Sequence, residues 1–208
     1  MRSIEELEEK QEKIKRKIYE IADENYDTSP IADGIVNVQL YNESKMKILW
    51  LLKETYGDSG DYSIGQKFAN QNFEKELKSS RMMKNIVHIS YSLLNNFITW
   101  DDLLDVRRHP DIAKVLNQIA YINISKIPGE SKSDARFLNT AYSLWRDVLL
   151  DQIEICRPNI AIFGGTYEYY KSDLSIPADE FKRMDYGKYA LYNNTLYFDV
   201  YHPAYVMD

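Results

Sequence analysis

Four short stretches of this chain carry side chains suited to hydrolysis beside a planar ring. Lys53-Glu54-Thr55-Tyr56 leads into a polar, Gly-bearing loop with Asp58 and Asp61. Asn123, Ser125 and Lys126 follow an apolar run, Gly164-Gly165-Thr166 closes another, and Tyr201-His202-Pro203-Ala204 closes a fourth. A carboxylate such as Glu54 can orient or deprotonate a water. An amide such as Asn123 offers one donor and one acceptor, as an N–H/C=O edge demands. An imidazole such as His202 can stabilise charge that develops on a leaving group. Together they suit a hydrolysis whose leaving group is a planar heterocycle. Other chemistries fit less well. No Gly-x-Ser-x-Gly elbow is present, and no Gly-rich loop runs into Lys-Ser/Thr to cradle a phosphate. Asp58 and Asp61 lack the later Glu of a calcium loop and read as turn formers. His88 and His109 fall away from strand ends and read as structural. Lys75, Lys78, Arg81 and Lys84, interleaved with Glu74 and Glu76, read as a solvated face.

The elements that would position these residues follow from hydrophobic periodicity. Lys47–Leu52, Ile119–Ile124, Asn159–Phe163 and Thr195–Val200 read as four strands, three of them short runs that are mostly apolar. Residues 133–155 repeat apolar side chains at helical spacing, from Phe137 and Leu138 to Ile153. Residues 66–97 read as helix in two pieces meeting near Ser79-Ser80, with further helical segments at 100–104 and 110–118. Residues 3–24 form an amphipathic helix capped by Ser3 with Glu6, with Ile4, Leu7, Ile14 and Ile18 on one stripe and Gln11 in its gap. Buried strands alternating with helices predict an α/β fold, a three-layer α/β/α arrangement with a central four-stranded parallel sheet. Ligands of such sheets sit outside the carboxyl ends of the strands, where all four stretches fall. Residues 1–25 are expected to pack as a helix on a single domain spanning 26–208.

Composition narrows the function. The chain has 208 residues, 44% apolar and 28% charged, ordinary values for a globular protein. With 26 Lys+Arg against 32 Asp+Glu, the net charge is -6, which excludes attachment to nucleic acid by bulk charge alone but not through a local basic groove. The one cysteine, Cys156, excludes an internal disulfide framework, an all-cysteine zinc site and a cysteine-held iron–sulfur cluster. No cofactor and no metal are expected. The start of the chain lacks an apolar run behind basic residues, and no stretch reaches the roughly 18 apolar residues of a membrane span. A cytoplasmic monomer without membrane attachment is expected.

The order of the four motifs resembles the uracil-DNA glycosylase superfamily. In that family the first strand ends in a Gly-Gln-Asp-Pro-Tyr-type loop whose acid activates water; here it is Leu52-Lys53-Glu54-Thr55-Tyr56. A middle strand ends in an Asn that reads the uracil edge, matched by Asn123 in Tyr121-Ile122-Asn123-Ile124-Ser125-Lys126. The next strand follows a proline and ends in glycine, as in Pro158 to Gly165, and the last motif, His-Pro-Ser, stands here as His202-Pro203-Ala204. The resemblance spans residues 45 to 205. It implies excision of uracil or a related base from DNA, with Glu54 steering water and His202 stabilising the departing base. Asn123 would bind the base edge, Tyr56 would wall the pocket, and Lys53, Lys126 and Arg136 would contact phosphates. Phe68 or Tyr62 would stack on the base. The departures are Lys53 and Thr55 in the first motif, Glu54 in place of Asp, Ala204 in place of Ser, and too few residues before Asp208 for the family's wedge-bearing loop and helix. These departures keep open a non-catalytic module on the same fold that binds a nucleotide, a base or a protein, and an adaptor acting through the N-terminal helix.

Overall fold

The computed structural model describes residues 3–55, 60–70, 73–129 and 134–205. Helix α1, Ile4–Asn25, starts where Ser3 accepts a hydrogen bond from the Glu6 amide at 3.1 Å. Its buried stripe is Leu7, Ile14, Ile18 and Ala22. Gln11, the gap in that stripe, donates to the Ile35 carbonyl and accepts from the Ile35 amide, so it closes a strand edge. Strands β1 (Ile31–Ala32) and β2 (Gly34–Ile35), helix α2 (Val38–Glu43) and strand β3 (Ile48–Leu52) follow. Next come β4 (Tyr62–Ser63) and helices α3 (Ile64–Ala69), α4 (Phe73–Ser79) and α5 (Arg81–Leu94). The helical region breaks at Ser80, which caps α5 by accepting from the Met83 amide. It also breaks earlier, after Ala69, where Asn70 is extended, so the first of the two expected pieces is itself two helices. Strand β5 (Ile119–Asn123), helix α6 (Ala135–Cys156), strand β6 (Ile160–Gly164) and helix α7 (Tyr167–Leu174) lead to β7 (Lys182–Met184), β8 (Gly187–Tyr192) and β9 (Thr195–Val200). Trp100–Asp102 and Pro110–Gln118 are 3₁₀ helices.

The fold is mixed α/β. Among the described residues the main sheet has seven strands in the order β2-β5-β3-β6-β9-β8-β7, not the four expected. Pairing is parallel from β5 through β3 and β6 to β9. It is antiparallel where β2 meets β5 and where β8 meets β9 and β7. The added strands escaped the sequence reading for physical reasons. β2 has two residues, and β7 is Lys-Arg-Met with every residue exposed. The β8–β9 hairpin turns at Asn193-Asn194, whose φ values of 46° and 66° lie in the left-handed region that such a tight turn requires.

Side chains alternate between two cores, as the period of a strand demands. Leu49, Leu51, Ala120, Ile122, Ala161 and Phe163 join α1, α6 and α7 on one face. Ile48, Trp50, Leu52, Ile119, Tyr121, Ile160 and Ile162 join α4, α5 and the 110–118 segment on the other. Strands β3, β5 and β6 are buried throughout, whereas β9 is half-buried along its length.

Candidate functional site

The chain leaves β3 toward β5 on one side and, after β5, crosses to β6 on the other. The carboxyl end of β3 is therefore a topological switch point, the place where open α/β sheets leave a crevice. Lys53, Glu54 and Thr55 lie there. Leu52 pairs with Asn123, and Gly164 with Val200, so the strands end level with one another. Backbone bonds then carry the loops onward together. Ile124 donates to Leu52 at 2.9 Å, Ser125 to Lys53 at 3.0 Å and Gly129 to Thr55 at 2.9 Å. Gly165 donates to Val200 at 2.8 Å, and the Thr166 hydroxyl donates to the Leu51 carbonyl at 2.8 Å.

Asn123 is 1% exposed. Its amide N–H donates to Asp33 Oδ2 at 2.6 Å, and its Nδ2 donates to Thr55 Oγ1 at 3.2 Å. Its Oδ1 is buried without a protein partner, and leaving such an acceptor unmet costs about 1–3 kcal/mol.

Lys126 does not contact phosphate as expected. It is fully buried, and its ammonium donates to Asp33 Oδ1 at 2.6 Å, the Asn123 carbonyl at 2.8 Å and Gln152 Oε1 at 2.8 Å. An ammonium has three N–H bonds, and all three are committed. Burial pulls its pKa below the ordinary lysine value, with Asp33 opposing. Asp33 also accepts from Gln152 Nε2 at 2.8 Å. The Asp33–Lys126 pair therefore grips both backbone groups of Asn123. Sequence reading missed Asp33, because Asp33-Gly34 carries only a turn signal.

Glu54 is half-buried and packs against Gly129, where an added Cβ would come within 2.4 Å of Glu54 Cγ. It also faces α7: burial raises the Tyr169 pKa, with Glu54 and then Asp134 adding to the rise. Tyr169 is a neighbour of Glu54 that periodicity could not nominate. Gly129→Ala is expected to push the Glu54 carboxylate aside. Any activity that uses Glu54 should fall about tenfold or more, since a misplacement of 1 Å can cost about 10². Unfolding curves of both proteins, run beside the assay, separate this from lost folding.

His202 begins a turn in which Tyr205 N–H donates to the His202 carbonyl at 2.8 Å. The Ala204 amide donates to His202 Nδ1 at 3.2 Å, so the neutral ring carries its proton on Nε2. Asn85 of α5 holds the turn through the Pro203 carbonyl at 2.7 Å. Burial, and then the positive charge of Lys53, lowers the His202 pKa to about 4. The same Lys53 reaches toward Gly165, where an added Cβ would lie 3.8 Å from its Cε. Unfolded, His202 titrates near 6.5, so between about 4 and 6.5 the unfolded chain binds more protons than the folded one. Its contribution to stability is expected to be lost as pH falls through that window. An imidazole NMR titration with a midpoint near 4, and a flatter pH–stability curve for His202→Gln, would check it; a midpoint near 6.5 would contradict it.

The remaining expectations divide. Tyr56 lies outside the described residues. Phe68 does not face the site; it packs on Phe73 at 4.9 Å and edge-on to Tyr121 at 5.8 Å, inside the α3–α5 core. Tyr62 sits in β4, paired with Ile31, with the Lys67 ammonium 6.0 Å from its ring. Arg136 stands exposed in the first turn of α6. Ser125 is buried in a local turn with Ile127, and His88 accepts from the Val106 amide. Among the described residues no group of His, Cys, Asp and Glu could hold a metal ion, and no helix is long and apolar enough to cross a membrane. No protein-family model matches the chain, and no curated protein sequence matches it.

Proposed function

We propose that the protein is a uracil-DNA glycosylase-like hydrolase that excises uracil or a related base from DNA. The observation that carries this reading is His202. It is a neutral imidazole with Nε2–H available, set by its own turn at the same sheet end as Glu54 and Asn123. The run of parallel strands β5-β3-β6-β9 and the helices on both faces support the corresponding three-layer scaffold.

In this mechanism the target nucleotide leaves the stack at a cost of a few kcal/mol or so. Asn123 Oδ1 accepts from the ring N–H of the base. Glu54 orients a water and takes its proton as the water oxygen bonds to the anomeric carbon. The N-glycosidic bond breaks and its electron pair leaves with the base, whose developing charge accepts the His202 Nε2–H. The transition state is oxocarbenium-like, as in glycoside hydrolysis. Lys53, beside His202, adds positive charge to the same region.

Free base and an alkali-labile abasic product from a uracil-containing oligonucleotide, single- or double-stranded, test the proposal. A second reading, a binding module without catalysis, draws on Asn123 Oδ1, an acceptor without a protein partner that a bound base could meet with no bond broken. Saturable binding of uracil or a nucleotide with no product would select it.

A further inference from the structure

Tyr201 and Tyr205 stand on either side of the turn that carries His202. Their rings stack with centroids 4.7 Å apart and planes 19° from parallel. Each residue is 56% exposed, although aromatic rings of this size are usually drawn into a core. The turn explains the stack. The Tyr205 amide bonds back to the His202 carbonyl, the Ala204 amide bonds to the imidazole, and Pro203 is buried under the grip of Asn85. The bonds that orient His202 thus also bring Tyr205 back beside Tyr201. The result is a preformed two-ring stack, held by a rigid turn and lying open to solvent beside the candidate site.

We propose that this pair is a stacking platform for unpaired nucleobases, and that the partner of this surface is single-stranded nucleic acid. The proposal rests on the excision reading for the identity of the neighbouring site. A duplex hides the faces of its bases, so an aromatic stack can extend only onto a base that is already unpaired. Base–aromatic stacking tolerates any sequence, because every base has a π-face. The net charge of -6 opposes a duplex more than a single strand, since a duplex carries a phosphate charge about every 1.7 Å. Tyr201 is bonded directly to His202. A base on the platform would therefore sit within a nucleotide or two of the one over the imidazole.

The test is binding of a dT12 oligonucleotide, which holds no excisable uracil, and of the matching duplex, across a salt series. The parent should bind the single strand more tightly than the duplex, with quenching of tyrosine emission. Tyr201→Ala/Tyr205→Ala should weaken single-strand binding about tenfold or more with the salt slope unchanged, because stacking releases no counterions. Tyr201→Phe/Tyr205→Phe should bind within about threefold of the parent, because the ring is kept. Both residues are exposed, so unfolding midpoints should match the parent's. Equal binding by the Ala pair, loss in the Phe pair, equal affinity for duplex, or no single-strand binding at low salt would each overturn the platform. Uracil release is measured separately. Binding through the tyrosines without release would retain the platform and reject excision; release with tyrosine-independent binding would do the reverse.

Discussion

Replacing Lys126 with Met is expected to lower folding stability by about 3–5 kcal/mol, the cost of breaking a buried ion pair from one side. Asp33 is 1% exposed in its side chain, and its carboxylate would be left with the Asn123 amide and the Gln152 side chain alone. Neither carries a charge. Urea unfolding at neutral pH would read the loss as a lower midpoint with an unchanged slope. Asp33→Asn should cost a comparable amount. The double variant should cost less than the sum, because it leaves no buried charge behind. The effect should extend to the site, since the pair clamps the Asn123 N–H and carbonyl. A Lys126→Met protein with parental stability would mean that the pair does not hold this end of the sheet.

The second large effect concerns chemistry. Under the proposed excision mechanism His202→Ala would remove the donor to the departing base, and losing one such preorganised donor costs about 10²–10³ in rate. Glu54→Gln keeps the side-chain volume but could not act as the proposed general base, and general base catalysis contributes about 10²–10⁴. Both variants should release base at rates lower by these factors, with unfolding curves run beside the assay to separate lost chemistry from lost folding. The low pKa of His202 adds a sign. The parent imidazole stays neutral from pH 8 down to about 5, so its ionisation should not limit release over that range. A rate tied to a group near 6.5 would point to another histidine or to an exposed His202.

The parts of the fold that were legible were those whose burial leaves a periodic trace. β3, β5 and β6 are wholly buried, and their apolar runs mark them to within a residue or two. The stripe of α1 and the long face of α6 are equally plain. Edge strands leave no such trace. β2 is too short for a pattern, and β7 is solvated. The Asn193-Asn194 pair before β9 did carry a hairpin signal, legible only with attention to turn chemistry.

The site divides on the same lines. The rule that ligands sit at strand ends singles out Glu54, Asn123 and His202 from sequence. It cannot tell which way a polar side chain turns, and so Lys126, read as facing phosphate, is committed inward. Asp33 reaches Asn123 and Lys126 from 90 or more positions away, through an edge pairing of β2 with β5 that no local pattern announces. Phe68 shows the opposite error: an aromatic of the right type whose partners, Phe73 and Tyr121, lie in the core.

The most direct test is single-turnover release of free base from a uracil-containing oligonucleotide by the parent protein, Glu54→Gln and His202→Ala, each checked for folding. Base excision at this site predicts release by the parent and losses of about 10²-fold or more in both variants. No release by the folded parent, or release undiminished in both variants, would contradict it.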